Sequence, residues 1–286
     1  MRESLVVARE VLREAARRRL LFALVALTLV VIALTVWGFS RIADLRNGGQ
    51  PLTALQQTAI SSQLLILVMF MFSRAVTLSA AFVAAPAISS EVESGISLAI
   101  LARPIARAEY VVGKWLGLLA LLAGYGITAG AIELLAVRLV TGYSPPHPIE
   151  FLGFVLGEGA VMITLSLALS TRLAGIVGGV IAVIASGIAW IGGIVEGIGA
   201  VFANDTITHV GTATKLILPT DGLWRGAVWS LEPAAVIAGF ANAGPATAGN
   251  PFFAATPPAP VYLAWSLAWI VGVLALAIWS FRSREV

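Results

Sequence analysis

Arg103-Pro104-Ile105-Ala106-Arg107-Ala108-Glu109-Tyr110-Val111-Val112-Gly113-Lys114 is a charged stretch with a single proline. It follows closely on Glu91-Val92-Glu93-Ser94-Gly95-Ile96-Ser97-Leu98. Both stand between two long apolar runs, residues 60–88 before and 111–140 after. A helix needs about 20 apolar residues to cross a hydrocarbon core. Each flanking run is longer than that, so the charged stretch reads as the connection between two membrane crossings. Polar, bent segments at such a place imply a partner outside the bilayer.

Working outward, the rest of the chain has the same character. It holds 286 residues, of which 59% are hydrophobic and only 12% charged, with a mean hydropathy of +0.94. Soluble domains average about 25% charged residues. Six segments are long enough to span: residues 20–39, 60–88, 111–140, 151–169, 173–195 and 261–281. The runs are unbroken and lack period-two alternation, so the expectation is an all-α integral membrane protein, not a barrel. The first 19 residues are charged and no small-residue cleavage site precedes Trp37, so no cleavable signal peptide is expected. There is no cysteine, which excludes disulfides and thiolate metal sites. The formal charge of +3 is spread beside the apolar segments and does not suggest nucleic acid.

Basic residues near helix ends orient membrane proteins. With the N-terminus inside, the inner segments hold Arg2, Arg9, Arg13, Arg17, Arg18, Arg19, Arg103, Arg107, Lys114, Arg172, Arg282 and Arg284. The outer segments hold Arg41, Arg46, Arg138, Lys215 and Arg225. Twelve against five places both termini in the cytoplasm. Residues 1–19 then form an amphipathic helix on the inner surface, with Leu5, Ala8, Leu12 and Ala15 on one face and Arg9, Arg13 and Arg17 on another. Those arginines either anchor the first crossing or also touch a partner. Residues 20–286 form the transmembrane domain, with an inner loop at 89–110 and a long extracytoplasmic segment at 196–260. Within that segment residues 217–233 are amphipathic. Thr220 or Asp221 can cap a helix there, with Trp224 and Trp229 against lipid or protein. Residues 241–260 read as coil. Gly175 with Gly179, and Gly193 with Gly197, have the spacing of close helix packing.

Charges inside spans are functional candidates. Arg74 and Glu158 each lie about twelve residues, or roughly 18 Å, from the inner end of their helices. They can form a buried ion pair, or Arg74 can reach carbonyls. Glu133 can pair with Arg138, and Tyr125 reads as helix packing. Gly113-Lys114 is not a phosphate-binding loop: Ala108 stands where its first glycine is needed, and Trp115 follows the lysine in place of Ser or Thr. No His-Glu-x-x-His is present. An intramembrane enzyme is therefore the remote reading, since no reactive residue supports it.

The pattern Glu91-x-x-x-Gly95-x-Ser97-Leu98, then Arg103-Pro104-Ile105-x-Arg107-x-x-Tyr110-x-x-Gly113-Lys114, resembles the signature loop of ABC-2 type permeases. In that family the loop joins the second and third of six helices, where this chain has it. Leu218-Pro219-Thr220-Asp221-Gly222-Leu223-Trp224-Arg225 is further similar to an element in permeases of the copper-processing ABC system of nitrous oxide reductase maturation. A copper path wants Cys, Met or His ligands. The chain has no Cys, four Met and two His, and Met69 and Met71 fall on different faces of one helix, so no metal site is expected.

The resemblance implies an ATP-driven exporter of the inner (plasma) membrane, in which this chain performs no covalent chemistry. ATP and Mg would be bound by a separate ATPase, present in two copies with two permeases, and this chain would hold no cofactor. Glu91, Glu93, Gly95, Leu98, Arg103, Pro104, Arg107, Gly113 and Lys114 would form the coupling site. Pro219, Asp221, Trp224 and Arg225 would be outer-face contacts for a gate or a partner. The alternative is a maturation complex acting on an extracytoplasmic protein.

Overall fold

A computed structural model describes residues 2–17, 20–47, 49–95, 106–240, 247 and 249–284. It is helical almost throughout. The spans are α2 (Leu20–Ser40), α3 (Ala54–Ala84), α5 (Arg107–Thr141), α6 (Pro148–Ser170), α7 (Gly175–Val201) and α11 (Pro260–Arg282). The last five are long and apolar enough to cross a membrane, and α2 contributes the shorter apolar helix Thr28–Ser40. Around them are α1 (Arg2–Arg17), α4 (Ser89–Glu93), α8 (Asp205–Ile217), α9 (Thr220–Leu231) and α10 (Ala234–Phe240). A two-residue ribbon pairs Arg46–Asn47 with Gln50–Pro51 between α2 and α3.

Local chemistry sets the ends. Thr53 accepts a hydrogen bond from the Gln56 N–H, and the Gln56 side chain accepts one from the Thr53 N–H, a full capping box that starts α3. Pro148 and Pro260 open α6 and α11, where a missing N–H costs nothing. Several helices outrun the apolar runs. α5 begins at Arg107, inside the expected loop, and α7 continues past residue 195 to Val201. Hydropathy marks where lipid contact ends, whereas a helix continues as long as its polar side chains find partners.

The central element is α6, which packs on α3, α5, α7, α9 and α11. Val155, Ile163 and Leu167 of α6, Leu65, Ile66 and Met69 of α3, and Trp224 and Leu231 of α9 are all fully buried. α1 also joins the bundle. A Cβ on Gly113 of α5 would lie 2.7 Å from the Ser4 carbonyl oxygen, and one on Gly117 would lie 2.8 Å from Val11 Cβ. Two glycines one turn apart thus let α1 lie against α5, with Val7 and Ala8 buried. Gly175 and Gly179 pack on the end of α3 at Pro86 and Phe82.

Within the 196–260 segment, residues 205–231 form a re-entrant hairpin. α8 runs back along α7: Gly199 meets Thr208, Gly211 meets Glu196, and Gly192 meets Thr214. α9 then returns along α6, with Leu223 beside Gly157, Phe154 against Gly226, and the His147 N–H donating to the Ser230 carbonyl at 3.1 Å. Gly157 lies nine residues into α6, and Gly192 nine residues before the end of α7. By either measure the tip at Leu218-Pro219 descends about 14 Å below the helix ends. Non-helical backbone is tolerated at such depth when protein covers it, and Leu218 is buried. Neither Thr220 nor Asp221 caps α9; Pro219 occupies that position without a side-chain bond.

Candidate functional site: a side-chain hub and a buried charge chain

The hub forms where the 89–110 connection leaves and re-enters the bundle. α4 ends at Gly95, whose φ of +74° is left-handed backbone that glycine adopts without strain. Glu91 of α4 is then held from α5, accepting hydrogen bonds from the Tyr110 hydroxyl and the Lys114 ammonium. Lys114 is buried and Tyr110 fully so. One carboxylate therefore ties the outgoing end of the connection to the incoming one.

The C-terminal segment joins the same site through Arg107. Its guanidinium donates to the carbonyls of Phe281 at 3.2 Å, Arg282 at 3.0 Å and Arg284 at 2.6 Å. Those carbonyls lie at the end of α11, where a helix lacks internal donors and carries partial negative charge. Phe281 is buried and stacks on Tyr110, with ring centroids 5.5 Å apart. The α6–α7 turn is tied in as well: Arg172 donates to the Ser280 carbonyl at 2.9 Å, and Arg284 to the Thr171 carbonyl at 2.7 Å. Gly113, which seats α1, lies one turn from Tyr110. Of the expected coupling residues, the structure gathers Glu91, Arg107, Gly113 and Lys114. Glu93 is exposed one helical step from Glu91, and Leu98, Arg103 and Pro104 lie outside the described residues.

Deeper in the bundle, Arg74 of α3 and Glu158 of α6 form an ion pair. Glu158 is fully buried and also accepts from the Ser73 hydroxyl at 3.3 Å. The Arg74 guanidinium lies 5.4 Å from the Phe70 ring centre and 5.8 Å from that of Trp224. These faces give a cation electrostatic attraction where water is absent. Asp221 and Arg225, one turn apart on α9, bond at 3.1 Å, and Arg225 donates to the Gly193 carbonyl at 2.9 Å. Beyond them Glu196 of α7 pairs with Lys215 of α8 and accepts from the Thr212 hydroxyl at 2.6 Å. Three ion pairs thus run from the middle of the bundle into the hairpin. Gly193 makes room for this: a Cβ there would lie 2.0 Å from Asp221 Oδ2.

Three expectations require correction. Pro219, Asp221 and Trp224 are buried inside the protein, and Arg225 is largely covered, so they are not a displayed outer surface. An amphipathic pattern with two tryptophans fits a helix wedged among helices as well as one at an interface. Glu133 does not pair with Arg138. It turns toward α2, where the Thr35 hydroxyl bonds it, because Arg138 lies more than a helical turn away and on another face. Tyr125 does more than pack: its hydroxyl bonds Thr28 of α2 at 2.9 Å. Sequence reasoning missed Glu196, Lys215 and Tyr262. The signal that pointed to them was the run of Gly and Thr at three- and four-residue spacing through 192–214.

A family model described as "ABC-2 family transporter protein" matches residues 5–286. No curated protein matches the chain. With its match over nearly the whole length and its bundle of apolar helices, the chain belongs to the ABC-2 transporter family, as a multi-pass membrane permease subunit.

Proposed function

We propose that this permease is the mechanical half of an ATP-driven exporter and that the hub receives the stroke. A separate ATPase, holding ATP and Mg, engages the 89–110 connection from the cytoplasm. The twelve-to-five bias of basic residues supports a cytoplasmic hub with both termini beside it. Two permease copies pair with two ATPases, as is usual for the family. The observation that carries the reading is Arg107: one guanidinium clamps three carbonyls of the C-terminal segment, one turn from the Tyr110–Glu91–Lys114 knot. A push on the connection reaches α1, α5, α6, α7 and α11 at once. α1 rides on α5 and moves with it.

A second reading has the stroke delivered to a protein on the far side, as in copper-processing maturation systems. The likeness of residues 218–225 to such permeases supports it, as does the placement of that element in the half of the bundle away from the hub. The buried state of Asp221 and Trp224 makes them transmitters to such a partner and not its contacts.

The test uses the permease reconstituted with its ATPase. Arg107→Gln, and the double variant Glu91→Gln with Lys114→Gln, which orphans no buried charge, should leave assembly intact and lower ATP-driven transport about tenfold relative to ATP hydrolysis, the effect of a loss of roughly 1.5 kcal/mol. Unchanged transport per ATP in both variants would contradict the reading.

A further inference from the structure

We propose that the cavity between the hairpin and the start of α11 is a binding site for a phosphate-bearing lipid headgroup. A cavity of about 480 Å³ opens between α8, α9, α11 and the segment before α11. Cavities of this size hold small ligands or headgroups. Its polar lining includes Lys215, Arg225 and the Tyr262 hydroxyl, with Phe253 and Pro257 among its apolar walls. Among the described residues no acidic side chain lines it: Glu196 and Asp221 pair with the two cations and are not part of the lining.

That layering decides the sign of the ligand. Coulomb energy falls as the inverse of distance. A phosphate oxygen in contact with Lys215 or Arg225 stands about 3 Å from the cation and about 6 Å from the carboxylate behind, so roughly half of the attraction survives. An incoming cation meets the opposite balance. The ammonium of Lys215 has three donors, of which Glu196 takes one.

The site is built, not incidental. The Tyr262 hydroxyl accepts from the Gly222 N–H at 3.2 Å and donates to the Lys215 carbonyl at 3.4 Å, so one side chain of α11 fixes both arms of the hairpin. A Cβ at Gly222 would lie 2.3 Å from the Tyr262 ring.

The surroundings favour a lipid over a soluble phosphate. Ile217 and Val261 are strongly exposed apolar residues beside Lys215 and Tyr262. Trp265 and Trp269 donate their indole N–H groups to the carbonyls of Leu216 and Ile217, at 3.0 and 2.7 Å. Tryptophan is the residue of the headgroup region. Acyl chains would lie on this apolar rim while the phosphate enters between the cations.

Native mass spectrometry of the purified, delipidated full chain tests the proposal. The probes are phosphatidylglycerol, glycerol 1-phosphate, and an uncharged diacylglycerol. The expected result is one tightly retained phosphatidylglycerol per chain and no retained diacylglycerol. Glycerol 1-phosphate binding as tightly would keep the phosphate site but assign it to a soluble ligand. Thr256 lines the cavity at an exposed position, so changes there spare the fold. Thr256→Glu should weaken retention about tenfold and Thr256→Lys should strengthen it, as expected for one added charge near a phosphate. The double variant Lys215→Gln with Glu196→Gln, which orphans no charge, should also lose the lipid. Equal retention of phosphatidylglycerol and diacylglycerol, or no opposite response at Thr256, would overturn the proposal.

Discussion

The hub and the charge chain use the same side-chain types under opposite conditions. At the hub, Arg107 and Arg172 spend their donors on backbone carbonyls at helix ends, in partly exposed positions. In the charge chain, Glu158 and Asp221 are buried, and each cation answers a carboxylate. The Arg107 and Arg172 contacts can break and be replaced by water at small cost, while the largely buried Glu91–Lys114 pair keeps the ends of the connection together. A charge-chain contact cannot, because the group left behind has no solvent. The hub is therefore suited to movement and the charge chain to holding the hairpin in place while the hub moves.

The sharpest way to break this comparison is at Arg74 and Glu158. Removing one partner of a buried pair costs about 3–5 kcal/mol, whereas removing both costs much less. Arg74→Met and Glu158→Gln, made singly, should each sharply reduce the yield of folded protein, and the double variant should recover part of it. Size-exclusion yield and thermal midpoint read this directly. Singles no worse than the double would mean that the pair is solvated and the contrast with the hub is false.

A smaller effect is expected at the α1 seat. Gly113→Val forces a side chain into the Ser4 backbone, an overpacking worth about 1–3 kcal/mol. α1 should detach while the bundle survives, seen as protease cleavage near residue 20. Protection equal to wild type would show that α1 does not need the glycine face.

The smallest effect concerns a carboxyl with no cation. Glu232 is buried just after α9, where Gln63 and the Ala254 N–H reach it at 3.5 and 3.4 Å and the Tyr143 hydroxyl stands nearby. Burial pushes its pKa up from 4.5 to about 7, against the two hydrogen bonds. Because the folded value is raised, the stability is full below about 4.5, declines as pH rises toward 7, and is level above it. Glu232→Gln removes that slope. Its thermal midpoint should gain on wild type between pH 5 and pH 8, and a constant difference would place Glu232 in contact with water.

Much of this was legible in sequence. The six apolar runs follow from composition, and counting residues along two helices put Arg74 and Glu158 at one depth, leaving a pair or an Arg74–carbonyl contact open until the structure showed the pair. The Gly95 break follows from glycine alone. The hairpin was not legible, because residues 205–231 mix Thr, Lys, Asp and Arg with apolar residues and never reach spanning length. Their polar groups are satisfied by one another across α7, α8 and α9, and no single segment shows that pairing. The seat of α1 on Gly113 was not legible either, because a single glycine in a helix does not say which element approaches it. The helical start at Arg107 was hidden because its charge suggested a loop, whereas its partners are carbonyls 170 residues away.

The central claim is that the hub carries the ATPase stroke across the bundle. The chain has no cysteine, so a single Val261→Cys label reports the end of α11 far from the hub. Spin–spin distances between the two copies, with and without ATP, should shift in the wild-type complex. With Tyr110→Phe and Arg107→Gln combined, ATP hydrolysis should persist while the distance shift disappears. An undiminished shift in that variant would contradict the account.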